Sequence, residues 1–181
     1  MTSTTGSGLE SLAAEPIRIR SATTADAEAI AAIYNEGIRG RLATFETVER
    51  TTTEVAAWLE GPRPFLVATR GEGEAEELVG WVRASAYRPR DCYTGVSEFS
   101  VYVTERARGR RVGDALMAAF LPACAAAGLW KLVSRIFPEN AASRALCARH
   151  GFRGVGVYEK HARLDGIWRD VVIVERLLPV G

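Results

Sequence analysis

The sequence predicts an α/β or α+β domain built on one mixed sheet. Two observations carry that prediction. The first is the order of patterned segments: strand, two helices, three strands, helix, strand, helix, two strands. The second is the run "SEFSVYVT", which passes through a turn rich in arginine and glycine into an apolar helix and then into "KLVSRIF". A strand–helix–strand unit of that kind, from 97 to 136, is expected to be a right-handed parallel crossover. The 181 residues suffice for one sizeable core, and 48% hydrophobic with 25% charged residues is ordinary for a globular domain.

Each element follows from its own pattern. "MTSTTGSGLESLAAEP" is small and polar, without the apolar core of a signal peptide. Residues 1–15 therefore read as a flexible tail and 16–179 as the domain. "IRIRSA" alternates as a strand does. In "TTADAEAIAAIYNEGI", Thr23 or Thr24 can cap a helix whose stripe is Ile30, Ile33, Tyr34 and Ile38. "TTTEVAAWLEG" is a short helix with Gly61 expected to close it. "PFLVATR" and "ELVGWVRASAY" are strands around "GEGEAE", a hairpin turn. The helix over 112–127 contains Pro122, which lacks a backbone donor and predicts a kink. "NAASRALCARHG" is a helix with Asn140 as its cap and Gly151 past its end, and "GVGVYEKHA" with "WRDVVIVERLL" is a closing strand pair.

Composition excludes several roles. A net charge of +1 gives no global pull toward nucleic acid or an anionic membrane. No stretch approaches the roughly 20 apolar residues of a membrane helix. Cys92, Cys124 and Cys147 have neither metal nor redox spacing, and an odd count argues against a disulfide framework. No metal is expected, and the simple setting is a reducing, cytoplasmic one.

"RARGRRVGDALM", residues 106–117, is the segment with the clearest chemistry. A turn entering a helix leaves backbone N–H groups unpaired at the positive end of the helix dipole. Glycines let an anion come close, and Arg106, Arg108, Arg110 and Arg111 add charge, so the turn suits a pyrophosphate and further phosphates. The plainer alternative is a solvated basic loop. The spacing matches neither G-x-x-x-x-G-K-[ST] nor G-x-G-x-x-G, which disfavours nucleoside triphosphates and dinucleotides. One arginine cluster without interleaved aromatics is also a poor nucleic-acid groove.

"VYVTERARGRRVGDALM" resembles the acetyl-CoA loop of GNAT-type N-acetyltransferases, [Q/R]-x-x-G-x-[G/A]. Arg108 and Gly113 match its ends, and Arg111 stands in the inner glycine slot. "PENAASRALCARHGF" resembles the N-x-x-S helix that follows in that family. "AAIYNEGI", "ATFET", "YRPRDCY", "SEFSVYV" and "GIWRDV" extend the resemblance over 17–178, toward the branch that N-acetylates phosphinothricin and arsinothricin.

The resemblance implies a central, mostly antiparallel twisted sheet flanked by helices, with a parallel strand–helix–strand unit for acetyl-CoA. The backbone of Val101, Tyr102 and Val103 would pair with the pantetheine arm. Arg108, Gly109, Arg110, Arg111, Val112 and Gly113 would hold the pyrophosphate, and Asn140 would contact the cofactor. Arg111 is acceptable at negative φ and costly at positive φ, and is expected to be tolerated with its N–H toward phosphate.

Glu98 interrupts an apolar strand and matches the family's catalytic glutamate. An α-amine has a reference pKa of about 8 and must lose a proton before it attacks a thioester. Glu98 would take that proton directly or through a water; its alternative is an exposed strand carboxylate. Where relatives carry tyrosine or histidine to protonate the leaving thiolate, this chain has Cys147. Cys147 is either that donor or simply a small buried residue, in which case water or a tyrosine such as Tyr158 would act. His150, at the helix end, reads as a cap of carbonyls, and His161 as a surface residue in a connection.

Arg88 and Arg90, with Tyr93 and near Phe45, would bind substrate, because guanidinium forks suit carboxylate, phosphinate and arsinate. The alternative is a pair of exposed loop arginines. Trp168 and Asp170 read as architecture, at the interface of the homodimer the resemblance suggests. The implied activity is N-acetylation of phosphinothricin, arsinothricin, methionine sulfoximine or sulfone, or a similar small amino acid, with a resistance role. Acetylation of a peptide N-terminus is an alternative. A silent acyl-CoA-binding sensor is another, kept open by Arg111 and Cys147 and opposed by Glu98. A polyamine would call for a more acidic pocket.

Overall fold

The computed structural model describes residues 16–179; the tail expected over 1–15 lies outside the described residues. A seven-stranded sheet runs in the order β1-β2-β3-β4-β5-β7-β6. Its members are β1 (Arg18–Ser21), β2 (Phe65–Arg70), β3 (Glu77–Ala86), β4 (Val96–Val103), β5 (Lys131–Ile136), β6 (Arg153–Leu164) and β7 (Ile167–Leu177). Every neighbouring pair is antiparallel except β4 with β5. The parallel pair is connected through helix α3 (Val112–Ala126), as the sequence pattern predicts.

Local chemistry sets most boundaries. Before α1 (Ala27–Arg39), Asp26 accepts the Thr23 backbone N–H at 2.7 Å and is gripped by both terminal nitrogens of Arg20 at 2.8 Å. That guanidinium holds the Asp26 carboxyl below its usual range. α2 (Thr52–Trp58) starts with a reciprocal box: Thr51 Oγ1 accepts the Glu54 N–H, and the Glu54 carboxylate accepts the Thr51 N–H. It ends at Trp58, with Leu59 rather than Gly61 as its cap, and Gly61 has no left-handed φ. The glycine therefore lies in the connection, and the terminator read from the sequence is corrected.

Gly71 and Gly73, at φ of 86° and 59°, make the turn between β2 and β3. Asp165 and Gly166, at φ of 49° and 79°, form the two-residue turn joining β6 to β7, where a left-handed pair matches the twist of a hairpin. α3 runs on through Pro122. α4 (Ala141–Arg149) is capped by Asn140, whose Oδ1 accepts the Ser143 N–H at 3.1 Å, and Gly151 follows it at φ 74°.

Helices cover both faces. α3 and α4 bury Leu116, Met117, Phe120 and Leu146 against Phe99 and Leu132 of the sheet. α1 and α2 bury Ile30, Ile33 and Val55 against Phe65, Val67 and Trp81. Strand alternation splits β4 between the two: Phe99 faces α3, while Tyr102 packs on the α1 side.

Candidate active site

A fork in the sheet creates the site. β4 pairs with β3 along nearly its whole length, from Ser97↔Ala86 to Val103↔Gly80. It pairs with β5 only from Val96↔Lys131 to Glu98↔Val133. At the fork Ser134 Oγ donates to the Phe99 carbonyl at 3.1 Å, where a ladder bond would otherwise fall. Beyond it, no described strand pairs with the second edge of β4, so the backbone of Val101, Tyr102 and Val103 is left open there. Buried backbone groups require partners, and such an edge can accept an extended chain as an added strand.

One end of that slot leads to the arginine turn. Gly109 takes φ 73°, and Arg111 caps α3 in the left-handed region at φ 63° and ψ 14°. Arg111 thus adopts the costly conformation, a strain of order 1–3 kcal/mol. A Cβ on Gly113 would stand 3.1 Å from Leu146 Cδ2, so glycine lets the start of α3 lie close to α4. Arg106 pairs with Glu77, and Arg108 with Glu105 at 3.5 Å. The guanidinium groups of Arg110 and Arg111 have no ion pair or hydrogen bond among the described residues. Together with the open N–H groups at Val112 and Gly113, they suit phosphate.

Beside the fork lies a cavity of about 300 Å³. Glu98, Ser100 and Tyr102 alternate along its β4 wall, Tyr34 comes from α1, and Arg135 from β5. Arg135 holds the Glu98 carboxylate in an ion pair. The Tyr102 ring stacks on Trp81 at 4.7 Å, its hydroxyl donates to the Ala43 carbonyl at 3.2 Å, and burial pushes its phenol strongly up. Tyr34 and Thr44 bring their hydroxyls within 3.3 Å. Glu46, also on the wall, is paired with Arg50 at 2.6 Å.

Several expected site residues sit elsewhere or are otherwise engaged. Asn140 caps α4 with Oδ1 and donates from Nδ2 to the Leu42 carbonyl at 3.1 Å, which ties down the loop above the cavity. Its side chain is committed to architecture at both ends. Cys147 is 2% exposed in the α3–α4 core and does not line the cavity; burial pushes its thiol up to about 11. Of its two readings, the small buried residue is the one observed. His150 does not cap carbonyls with its ring: Nε2 meets the Asp114 carboxylate at 3.2 Å, beside the bidentate contact from Arg149.

Phe45 lines the cavity as expected, edge-on to Phe137 at 4.8 Å. Arg88, Arg90 and Tyr93 do not line it. They cluster on the exposed loop between β3 and β4, Arg88 over Tyr87 at 5.3 Å and Arg90 over Tyr93 at 6.0 Å. His161 is at the surface as expected, but within β6 rather than in a connection, and it lines the cavity.

Sequence reasoning missed Tyr34, Ser100 and Arg135 as cavity residues. Ser100 was legible from the alternation with Glu98. Tyr34 was hidden by its place on an apolar helical stripe, and Arg135 needed the register of β4 on β5.

The geometry can be set beside known proteins. The family model for the acetyltransferase (GNAT) domain matches residues 19–173. Phosphinothricin N-acetyltransferase of Streptomyces coelicolor is 35% identical over 167 residues, covering 90% of this chain and 96% of that one. L-methionine sulfoximine/L-methionine sulfone acetyltransferase of Pseudomonas paraeruginosa is 31% identical over 161 residues, 87% of this chain and 92% of its own. The crystal structure of a GNAT superfamily phosphinothricin acetyltransferase from Sinorhizobium meliloti in complex with AcCoA matches with a TM-score of 0.82 at 29% identity, over 90% of this chain and 88% of that one.

Proposed function

The chain belongs to the GNAT acetyltransferase family, and from that premise we propose that it acetylates the α-amine of a small amino acid or analogue of the phosphinothricin and methionine sulfoximine type, arsinothricin included. The observation that carries the reading is the place of Glu98. It is the last β4 residue paired with β5 before the strands part, and its carboxylate faces the cavity.

The open β4 edge and the two unpartnered arginines fit acetyl-CoA, which supplies the activated acetyl group. Val101, Tyr102 and Val103 would bind its extended arm through backbone hydrogen bonds. Residues 108–113 would receive the pyrophosphate on N–H groups and guanidinium charge. Glu98 then takes the ammonium proton of the acceptor, directly or through a water, and Arg135 fixes the direction of that carboxylate. Phe45 offers an apolar wall to the acceptor's carbon chain, while Arg88, Arg90 and Tyr93 stand outside as a basic, aromatic rim.

The exposed Val155, Val157, Ile167 and Trp168 of the edge hairpin support a homodimer. The free thiols of Cys92, Cys124 and Cys147 suit a reducing, cytoplasmic setting. No helix among the described residues is long and apolar enough to cross a membrane.

A thiol-release assay with acetyl-CoA against phosphinothricin, arsinothricin, methionine sulfone, methionine sulfoximine, common amino acids, an N-terminal peptide and spermidine tests the reading. Selective turnover of the small amino-acid analogues supports it. Turnover of the peptide alone, or acetyl-CoA binding without any turnover, overturns it. In the same assay Cys147→Ala is expected to keep kcat within about threefold, because a buried thiol outside the cavity gives the leaving group no proton; a hundredfold loss would return Cys147 to the chemistry.

Arg111→Gly separates strain from binding. Relief of the left-handed arginine is expected to raise stability by about 1 kcal/mol, read by thermal unfolding without ligand. Loss of its charge is expected to weaken acetyl-CoA binding several-fold by calorimetry. Unchanged affinity would remove Arg111 from the phosphate site.

A further inference from the structure

We propose that His161 is a specificity-determining residue that reads the anionic side-chain group of an acidic amino-acid substrate, with Asp170 as its positioning residue. The inference rests on the acceptor reading above and extends it.

Its first support is a bulge. Along β6 and β7 the ladder pairs Tyr158 with Val171 and next pairs Ala162 with Arg169. Three residues, 159–161, thus face the single residue Asp170. Lys160, at the apex, takes a left-handed φ of 47°, and its N–H donates to Asp170 Oδ1 at 2.7 Å. Bulges beside active sites commonly re-aim a side chain, and strain at a non-glycine residue persists where surrounding structure imposes it. The side chain that follows this apex is His161, and it lines the cavity.

The second support is what the other polar groups of the cavity are doing. Glu98 and Arg135 neutralise each other, as do Glu46 and Arg50. Tyr102 is bonded to the Ala43 carbonyl. The His161 imidazole lies 6.2 Å from the Phe45 ring and 5.3 Å from the Tyr158 ring, with no hydrogen bond or ion pair among the described residues. An anion entering the cavity therefore finds Arg135 occupied and the His161 N–H free to donate.

The walls give direction as well. Glu98 lies on β4 and His161 on β6, with β5 and β7 between their strands in the sheet order. Both side chains line the same cavity, so the proposed pose has the amine of the acceptor at Glu98 and its far end toward His161. A phosphinate, arsinate or carboxylate there gains a donor; a neutral sulfone gains much less.

The test is steady-state kinetics of the full chain with phosphinothricin, anionic at its far end, and methionine sulfone, neutral there. His161→Phe keeps an aromatic ring between Phe45 and Tyr158 but has no donor. It is expected to raise the KM for phosphinothricin about tenfold more than that for methionine sulfone, with the larger share of the change in KM rather than kcat. His161→Gln restores most of the difference by supplying an amide N–H, and Asp170→Ala reproduces the loss while His161 is intact. Equal changes for both substrates, or none, overturn the proposal. If wild type turns over neither substrate, the acceptor reading fails separately. Titration of phosphinothricin into wild type and His161→Phe with CoA present then decides the role of His161: weaker binding to the variant sustains it, and equal or absent binding overturns it.

Discussion

Glu98→Gln is expected to lower kcat by about 10²–10⁴-fold while acetyl-CoA affinity stays within a few-fold. The amide keeps the size and hydrogen-bonding reach of the carboxylate but cannot accept the ammonium proton. It also leaves Arg135 without its ion-pair partner. Both side chains are partly solvated, at 27% and 44% exposure, so the cost to stability should stay below about 1 kcal/mol. Pre-steady-state turnover, calorimetric binding of acetyl-CoA and thermal unfolding separate these effects. A variant that bound acetyl-CoA normally and retained wild-type kcat would remove Glu98 as the base.

The largest stability effect is expected at Gly37, in the interior of α1. Glycine there disfavours a helix by about 1 kcal/mol relative to alanine, and the sequence offers no turn or cap to explain it. The tertiary structure does. A Cβ on Gly37 would stand 2.6 Å from Tyr102 Cε1. That ring cannot easily retreat, being stacked on Trp81, edge-on to Tyr34 at 5.0 Å and anchored to Ala43 by its hydroxyl. Gly37→Val is therefore expected to cost about 2–3 kcal/mol through overpacking, lowering Tm by about 5–10 °C for a chain of this size. Because Tyr102 lines the cavity, kcat/KM should fall as well. Gly37→Ala should show a smaller loss of the same sign, its helix propensity offsetting part of the collision. A Tm equal to or above wild type for both variants would show that Tyr102 can be displaced at no cost.

These two positions differ in how they could be read. Glu98 stood out because a charge broke an apolar strand just ahead of a recognisable turn. Gly37 gave no signal, since its partner Tyr102 lies 65 residues further along the chain. Asn140 falls between the two cases. Its cap on α4 was legible from local pattern, while its bond to Leu42 depends on a loop far away in sequence. The cysteine at a family catalytic position is enclosed by the α3–α4 core, and the histidine expected at the surface is exposed and also lines the cavity.

By itself the sequence determined the elements and some of their ends: the Asn140 cap, the glycines of the first hairpin, and the arginine-rich entry to α3. These are properties of short windows, where periodicity, side-chain donors and backbone freedom act between near neighbours. The tertiary structure alone decided the fork after Glu98, the Glu98–Arg135 pair, the positive φ of Arg111 and the bulge that sets His161 beside the cavity. Each depends on strand register or on packing between distant segments. A shift of one residue in pairing turns a side chain to the other face, so no local pattern can fix which of these groups meet.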